Sequence, residues 1–235
     1  MTADITGLGV LRVLEAIKEN APDAKFYQAS SSEMYGNYPG EKNEASPFIP
    51  RSPYGAAKVF GHHITNHYRE AYNIFACCGI LFNHESPLRG LEFVTRKITY
   101  ELALIKYKKQ KKFNLGNIYA KRDWGFAGDY VEAMWLMLQQ QKPDDYVIST
   151  GESHSVEEFL TIATEYADLG DWKDYVDIDK DLLRPTDIED LVGNSSKARK
   201  QLNWKPKMEF KDLVRNMIEH DLEQVKLSVD PFTDI

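Results

Sequence analysis

Three short clusters concentrate the side chains able to do chemistry. Tyr54-Gly-Ala-Ala-Lys58 sets a phenol and an ammonium four residues apart at the start of an expected helix, residues 54–71, so both lie on one face. A free phenol titrates near 10, but an adjacent ammonium favours the phenolate, which makes such a Tyr a usable base. Any helix can contain Tyr-x-x-x-Lys, so the pair gains meaning from its surroundings. The second cluster, Ser30-Ser-Ser-Glu-Met-Tyr-Gly36, places hydroxyls and a carboxylate directly after an expected strand, Lys25 to Ser30. Open α/β sheets bind ligands at the carboxyl ends of their strands, although a capping turn would use the same residues. The third, Phe82-Asn-His-Glu-Ser-Pro87 with Arg89, follows the apolar run Ile74 to Phe82. His63 and His67 stand i, i+4 but lack the Glu of a zinc-protease helix; a surface or packing role is expected, and no metal site.

The elements that must position these clusters can be read from periodicity. Val10, Val13, Leu14 and Ile17 mark a helix over Gly9 to Ala21, with no strand before it. The uninterrupted run Ile74–Phe82 suits a strand buried on both faces of a parallel sheet. Further on, the pattern predicts helix 93–107, a strand near Phe113–Leu115, helix 127–140 with Val131, Met134, Trp135 and Leu138 as its stripe, and strand Tyr146–Ser149. Ser155 and Glu158 form a capping box for a helix ending near Gly170, and two more helices follow near 195–202 and 210–226. Alternating elements of this kind indicate an α/β protein with a parallel sheet.

Composition narrows the function classes. The 235 residues carry 29 Lys+Arg against 36 Asp+Glu, a net charge of −7, which argues against nucleic acid as a partner. The lysines of 106–112 read as a solvated helix end. No run is long and apolar enough to span a bilayer, and Met1 opens on polar residues, so the expectation is a cytoplasmic protein with no membrane partner. Cys77 and Cys78, adjacent in an apolar run, are expected to be buried strand residues.

The strings FYQASSSEMYG, PRSPYGAAK, GILFNHESPLRG, FVTRKI, LGNIYAKRDWG, DYVEAMWLML and LNWKP resemble the GDP-mannose 4,6-dehydratases, a family of extended short-chain dehydrogenase/reductases, from about Thr2 to Val225. The resemblance implies an NADP-dependent lyase. The cofactor takes hydride from sugar C4, water leaves across C5 and C6, and the hydride returns to C6, giving GDP-4-keto-6-deoxymannose. It implies Tyr54 as the base at the C4 hydroxyl and Lys58 as its partner, holding the cofactor ribose. Ser31, where the family usually has Thr, contacts the C4 oxygen; Glu33 is the acid/base of the elimination, with Ser32 beside it. His84 and Arg89 match NADP contacts, and Asn83, Lys97, Arg122, Arg184 and Asp187 match contacts to GDP-mannose. The family usually carries Glu at the last of these.

One departure is large. The family opens with a strand, a G-x-x-G-x-x-G turn and a helix that hold the cofactor pyrophosphate, and this sequence has no such motif. Gly7-Leu-Gly9 is the nearest approach and is rejected, being inside an expected helix. The expectation is therefore a partial Rossmann-like parallel sheet whose first βαβ units are missing, an N-terminal truncation of the family fold. Residues 1–90 are expected to carry the catalytic groups. Residues 91–235 form a smaller substrate lobe, with a segment near 113–150 returning to the main sheet. A homo-oligomer, dimer or tetramer, is expected from the family. Two other readings remain: a non-catalytic remnant that binds sugar nucleotide or a partner chain, and an epimerase or reductase, which Glu33 disfavours.

Overall fold

The computed structural model describes residues 1–182 and 190–228. In chain order the elements are α1 (Gly9–Asn20), β1 (Phe26–Ser31), α2 (Pro53–Tyr72), β2 (Ala76–Leu81), β3 (Asn83–Glu85), α3 (Val94–Lys106), β4 (Phe113–Leu115), β5 (Lys121–Arg122), β6 (Trp124–Phe126), α4 (Ala127–Leu138), β7 (Asp145–Ile148), β8 (His154–Ser155), α5 (Val156–Tyr166), β9 (Val176–Ile178), β10 (Asp190–Leu191), α6 (Ser196–Gln201) and α7 (Phe210–Leu227). A π-helical stretch, Ala3–Leu8, leads into α1. The chain divides into two compact units. The first comprises Met1–His84, Asp123–Ser153 and Asp190–Lys207; the second comprises Glu85–Arg122, His154–Glu189 and Met208–Ile235.

The first unit is built on a parallel sheet in the order β1-β2-β7, with Ser31 opposite Leu81 and Leu81 opposite Ile148. Every residue of β2 is buried because helices cover both faces. Ala76 joins Leu14, Tyr68 and Ile74 beneath α1 and α2. Cys77 and Leu81, pointing the other way, join Tyr130, Ala133 and Met137 of α4 with Ala198, Leu202 and Trp204. Both cysteines are free and buried, as their apolar context predicts.

Two helical stripes are misread from spacing alone. In α4, Val131 and Trp135 are 58% and 61% exposed, and the inward face is Tyr130, Ala133 and Met137. In α1, Leu14 is fully buried but Val13 is about half exposed. Both helices have apolar residues on more than one face, and Tyr130, with Trp204 edge-on to it at 6.0 Å, sets the inward face of α4.

The second unit packs α3, α5 and α7 against one another beside two short ladders, β4 parallel to β9 and β5 antiparallel to β8. The capping box of α5 forms: Glu158 N–H donates to Ser155 Oγ at 3.0 Å, and Ser155 N–H to Glu158 Oε2 at 2.8 Å. Lys106 and Lys112 pair at the surface with Asp168 and Asp177, which fits a solvated helix end. The tie between α3 and α7 is ionic. Asp221 is fully buried and accepts from Arg96 Nε at 2.9 Å and from Thr99 Oγ1 at 2.6 Å. Arg96→Ala would leave that carboxylate buried and uncompensated, a loss of about 3–5 kcal/mol. Urea unfolding should report it, and Arg96→Ala/Asp221→Ala should recover part of the loss; a wild-type midpoint for Arg96→Ala contradicts this role.

Among the described residues no helix is long and apolar enough to cross a membrane.

Candidate active site

The register of the first sheet gathers two of the three clusters at one edge. Ser31 and Leu81 are opposite each other, so Ser32–Glu33 and Asn83–His84 both leave from the carboxyl ends of neighbouring strands. Ser31 ends β1 and caps a 3-10 turn, Ser32–Met34, its Oγ accepting from Glu33 N–H at 3.2 Å. Ser32 is buried; Glu33 is only partly so. The capping turn and the ligand-site reading of this cluster are thus compatible, since capping fixes the direction in which Glu33 leaves the sheet.

The third contributor is the start of α2. Ser52 caps the helix, its Oγ accepting from Gly55 N–H at 3.0 Å, and Pro53 supplies the first helical residue. Tyr54 therefore sits in the first turn, where the positive end of the helix dipole acts on its phenol. Gly55 is what lets this turn approach β1. A Cβ there would lie 2.8 Å from the Glu33 carbonyl oxygen, closer than real Cβ contacts allow. Sequence reading passed over Gly55, and its only signal is a missing side chain beside a candidate base.

Lys58 Nζ lies 5.5 Å from the centroid of the Tyr54 ring and donates to the Ala29 carbonyl at 2.7 Å. Partial burial pushes its ammonium below the ordinary 10.5. His84 donates through Nδ1 to the Phe82 carbonyl at 2.9 Å, and its ring stacks on Tyr130 at 5.0 Å. Ser31, Ser32, Glu33, Tyr54, Lys58, Asn83 and His84 all belong to the first unit.

Three other expected contacts belong to the second unit. Arg89 Nε is 3.3 Å from buried Glu85, and its guanidinium covers the Phe93 ring at 3.6 Å. Lys97 Nζ donates to the Asn114 carbonyl at 2.7 Å, and Arg122 Nη1 to the Lys121 carbonyl at 2.8 Å. Arg184 and Asp187 lie outside the described residues.

Sequence reading also missed a buried network on α2. His62 continues the face of Tyr54 and Lys58 by one more i+4 step, a spacing that could have revealed it. Its Nδ1 is 3.0 Å from Ser30 Oγ and its Nε2 3.6 Å from Asp145 of β7. Arg69 Nη1 donates to Asp145 at 2.9 Å and to the Ala76 carbonyl at 3.1 Å, and Asn66 also donates to Asp145. One helix is thereby fixed to all three strands of the sheet. The metal-ligating atoms of His62, Cys78 and Asp145 lie within 4.8 Å of one another. The adjacent Arg69 charge opposes a second cation, and we read the group as a tether.

Burial pushes the His62 imidazole down to about 4, outweighing the attraction of Asp145, with His63 and Arg69 adding to the depression. Burial also works to raise Asp145, but the Arg69 hydrogen bond and His62 hold it below 3.8. The folded state therefore binds the His62 proton less readily than the unfolded chain, whose His titrates near 6.5. Stability is full above that value and falls as pH drops from about 6.5 to about 4, by on the order of 3 kcal/mol. Urea unfolding at pH 7.0 and 5.0 measures it, and His62→Gln should flatten the profile. An equal free energy for wild type at both pH values would be the contrary result.

The polar atoms at Tyr54 and Lys58 suit the hydroxyls of a nucleotide ribose. A pyrophosphate cradle is another matter. Gly7 lies in the π-helical stretch against Ala57 and Phe60, its Cβ position 3.5 Å from the Phe60 ring, so it opens no phosphate loop.

A sequence profile of the family described as GDP-mannose 4,6 dehydratase matches residues 1–217. The chain is 57% identical to GDP-mannose 4,6 dehydratase 1 of Arabidopsis thaliana, over 96% of this chain and 63% of that protein, so it spans less than two thirds of that relative's length. Its fold matches the structure of RMD from Pseudomonas aeruginosa complexed with NADPH, with a TM-score of 0.85 at 20% identity, over 94% of this chain and 74% of that one. UDP-glucose 4-epimerase of Thermus thermophilus, in complex with NAD, matches with a TM-score of 0.82 at 25% identity, over 92% and 70%. The same fold thus houses different sugar-nucleotide chemistries, and the side chains must separate them.

Proposed function

Because the chain belongs to the GDP-mannose 4,6-dehydratase family, we propose that it carries the acid–base and sugar-nucleotide machinery for converting GDP-mannose to GDP-4-keto-6-deoxymannose with loss of water. The observation that carries this reading is the seating of the Tyr54–Lys58 turn on the Glu33 turn through Gly55. An epimerase needs a base at C4. It does not need a carboxylate for dehydration, and Glu33, whose backbone the Tyr54 turn meets at Gly55, supplies one for a second proton transfer.

NADP, when bound, supplies the acceptor and donor of the hydride. This chain's residues do the proton chemistry around it. Tyr54 takes the proton of the C4 hydroxyl, favoured as phenolate by Lys58 and the helix N-terminus. Ser31 holds the C4 oxygen in line. Glu33 takes the proton at C5 and delivers it to the departing C6 hydroxyl, so that water leaves without free acid or base, and the proton held by Tyr54 then goes to C5, whose own proton left with the water; Ser32 supports the Glu33 carboxyl. Lys58 also meets the cofactor ribose, with His84 and Arg89 as further contacts. In the second unit Lys97 and Arg122 are the cations suited to the GDP diphosphate. Asn83 supplies a neutral contact, and Arg184 and Asp187 complete the set from sequence. We place the protein in the cytoplasm as an oligomer, its copies meeting through helical faces such as that of Ile5, Leu8 and Phe60, which is exposed.

In a preparation loaded with NADP, mass spectrometry should show GDP-mannose converted to a product one water lighter. Tyr54→Phe should slow that conversion by about 10²- to 10⁴-fold. An unchanged rate removes Tyr54 as the base.

A further inference from the structure

Glu33 and Tyr54 stand at the two ends of one excursion of the chain. The backbone leaves the 3-10 turn at Met34, runs through a loop over residues 37–48 and returns into α2. The neck of that loop closes at a glycine. Gly36 has φ +54, and a Cβ there would lie 1.9 Å from the Ile49 carbonyl oxygen, so the outgoing and returning segments can cross only where no side chain stands. Glu33 lies just before this crossing and Tyr54 just after it.

The loop is also tied to the far edge of the sheet. Phe82 N–H donates to the Ile148 carbonyl and Cys78 N–H to the Asp144 carbonyl, so Val147 turns its backbone groups away from β2. Its outward N–H donates to Glu44 Oε1 at 2.8 Å. Lys42 bridges to Gly193, its N–H donating to the Val192 carbonyl at 3.1 Å and its carbonyl accepting from Asn194 N–H at 2.8 Å. Inside the loop, buried Tyr35 donates through its hydroxyl to the Asn43 carbonyl at 2.8 Å and packs on Phe48 at 5.2 Å. Phe48 meets His62 of α2 edge-on at 5.0 Å. Ser31 and Ser52 cap the Glu33 and Tyr54 turns separately, and neither cap sets the distance from one turn to the other. The Gly55 contact lets the turns approach, but a missing side chain holds nothing in place.

We propose that Gly36 and Glu44 are positioning residues for the acid–base pair, Gly36 by closing the neck between the two turns and Glu44 by pinning the loop to β7 so that the neck stays closed. This rests on the roles given above to Glu33 and Tyr54. With the loop pinned, carboxylate and phenol meet one sugar at a fixed spacing. Unpinned, the two turns move separately, and a misplacement of about 1 Å costs up to ~10²-fold in rate.

The test compares Glu44→Ala, which deletes the acceptor, with Glu44→Gln, whose amide oxygen keeps it. In the 235-residue chain, hydrogen exchange is read at the Glu33 and Gly55 amides, the donors to the two caps. Glu44→Ala should speed both by at least ~10-fold while β2 amides stay protected. Glu44→Gln should return both to within about 3-fold of wild type. In the NADP-loaded preparation, kcat for loss of water from GDP-mannose should fall about 10- to 100-fold in Glu44→Ala with KM unchanged, since Lys97 and Arg122 are untouched, and Glu44→Gln should recover it. Gly36→Ala, which drives a Cβ into the neck, should reproduce the pattern; if it does not fold, the Glu44 pair carries the test. Unchanged exchange at the two amides in Glu44→Ala overturns the proposal. So does a wild-type kcat despite faster exchange, a loss that falls on KM, or one that Glu44→Gln does not recover. If the exchange pattern holds but the wild-type preparation forms no dehydrated product, the coupling of the two turns stands and the dehydratase reading falls instead.

Discussion

Glu33→Gln should stop water elimination while leaving the C4 position open to oxidation. The amide keeps the size of the side chain and the 3-10 turn that Ser31 caps, since that cap uses the Glu33 backbone N–H and not its carboxyl. What it loses is the proton-accepting group, whose contribution to a positioned proton transfer is about 10²- to 10⁴-fold. Reduced cofactor should therefore accumulate, visible by its absorbance, while formation of the 4-keto-6-deoxy product falls by that factor. Product formed at the wild-type rate would assign the elimination to another residue. A variant silent in both steps would point to misplaced substrate rather than a missing proton acceptor.

The purified 235-residue chain should bind NADP only in the millimolar range, corresponding to about 4 kcal/mol. Dinucleotide sites of this fold class draw much of their affinity from backbone amides and a helix N-terminus facing the pyrophosphate. Here Gly7 and Gly9 lie in helical backbone, and Gly7 is packed against α2. Tyr54 and Lys58 alone offer the ribose end. Equilibrium dialysis or fluorescence of NADPH would measure the affinity, and tight retention through purification would contradict it.

The parts of this structure legible in the sequence are those set by short-range rules. The twofold covering of β2 follows from an apolar run with no polar break. The capping box of α5 and the Ser-Pro start of α2 are fixed by two or three neighbouring residues. The inward faces of α1 and α4 were not legible, because Val13, Val131 and Trp135 satisfy the same periodicity as the residues that are buried. Only contacts from distant chain segments, such as Trp204 on α4, break that tie. The same holds at the site. Tyr54, Lys58 and Glu33 are visible as residue types at strand and helix ends. Gly55 and the His62–Asp145–Arg69 tether act through approach and burial, which require partners outside the local pattern: Gly55 meets Glu33, 22 residues away (55 − 33), and His62 and Asp145 are 83 apart (145 − 62). The short strands β3, β5, β6, β8, β9 and β10 were also missed, being two or three residues long and lacking any periodicity.

The central claim is that Tyr54 and Glu33 act on one bound sugar, at C4 and then across C5 and C6. GDP-mannose carrying deuterium at C4, turned over by the NADP-loaded preparation, tests it most directly by the position of the label in the product. The account predicts a 4-keto-6-deoxy sugar with the deuterium at C6. Deuterium returned to C4 of a sugar that has kept its C6 hydroxyl would make the site an epimerase and contradict the account.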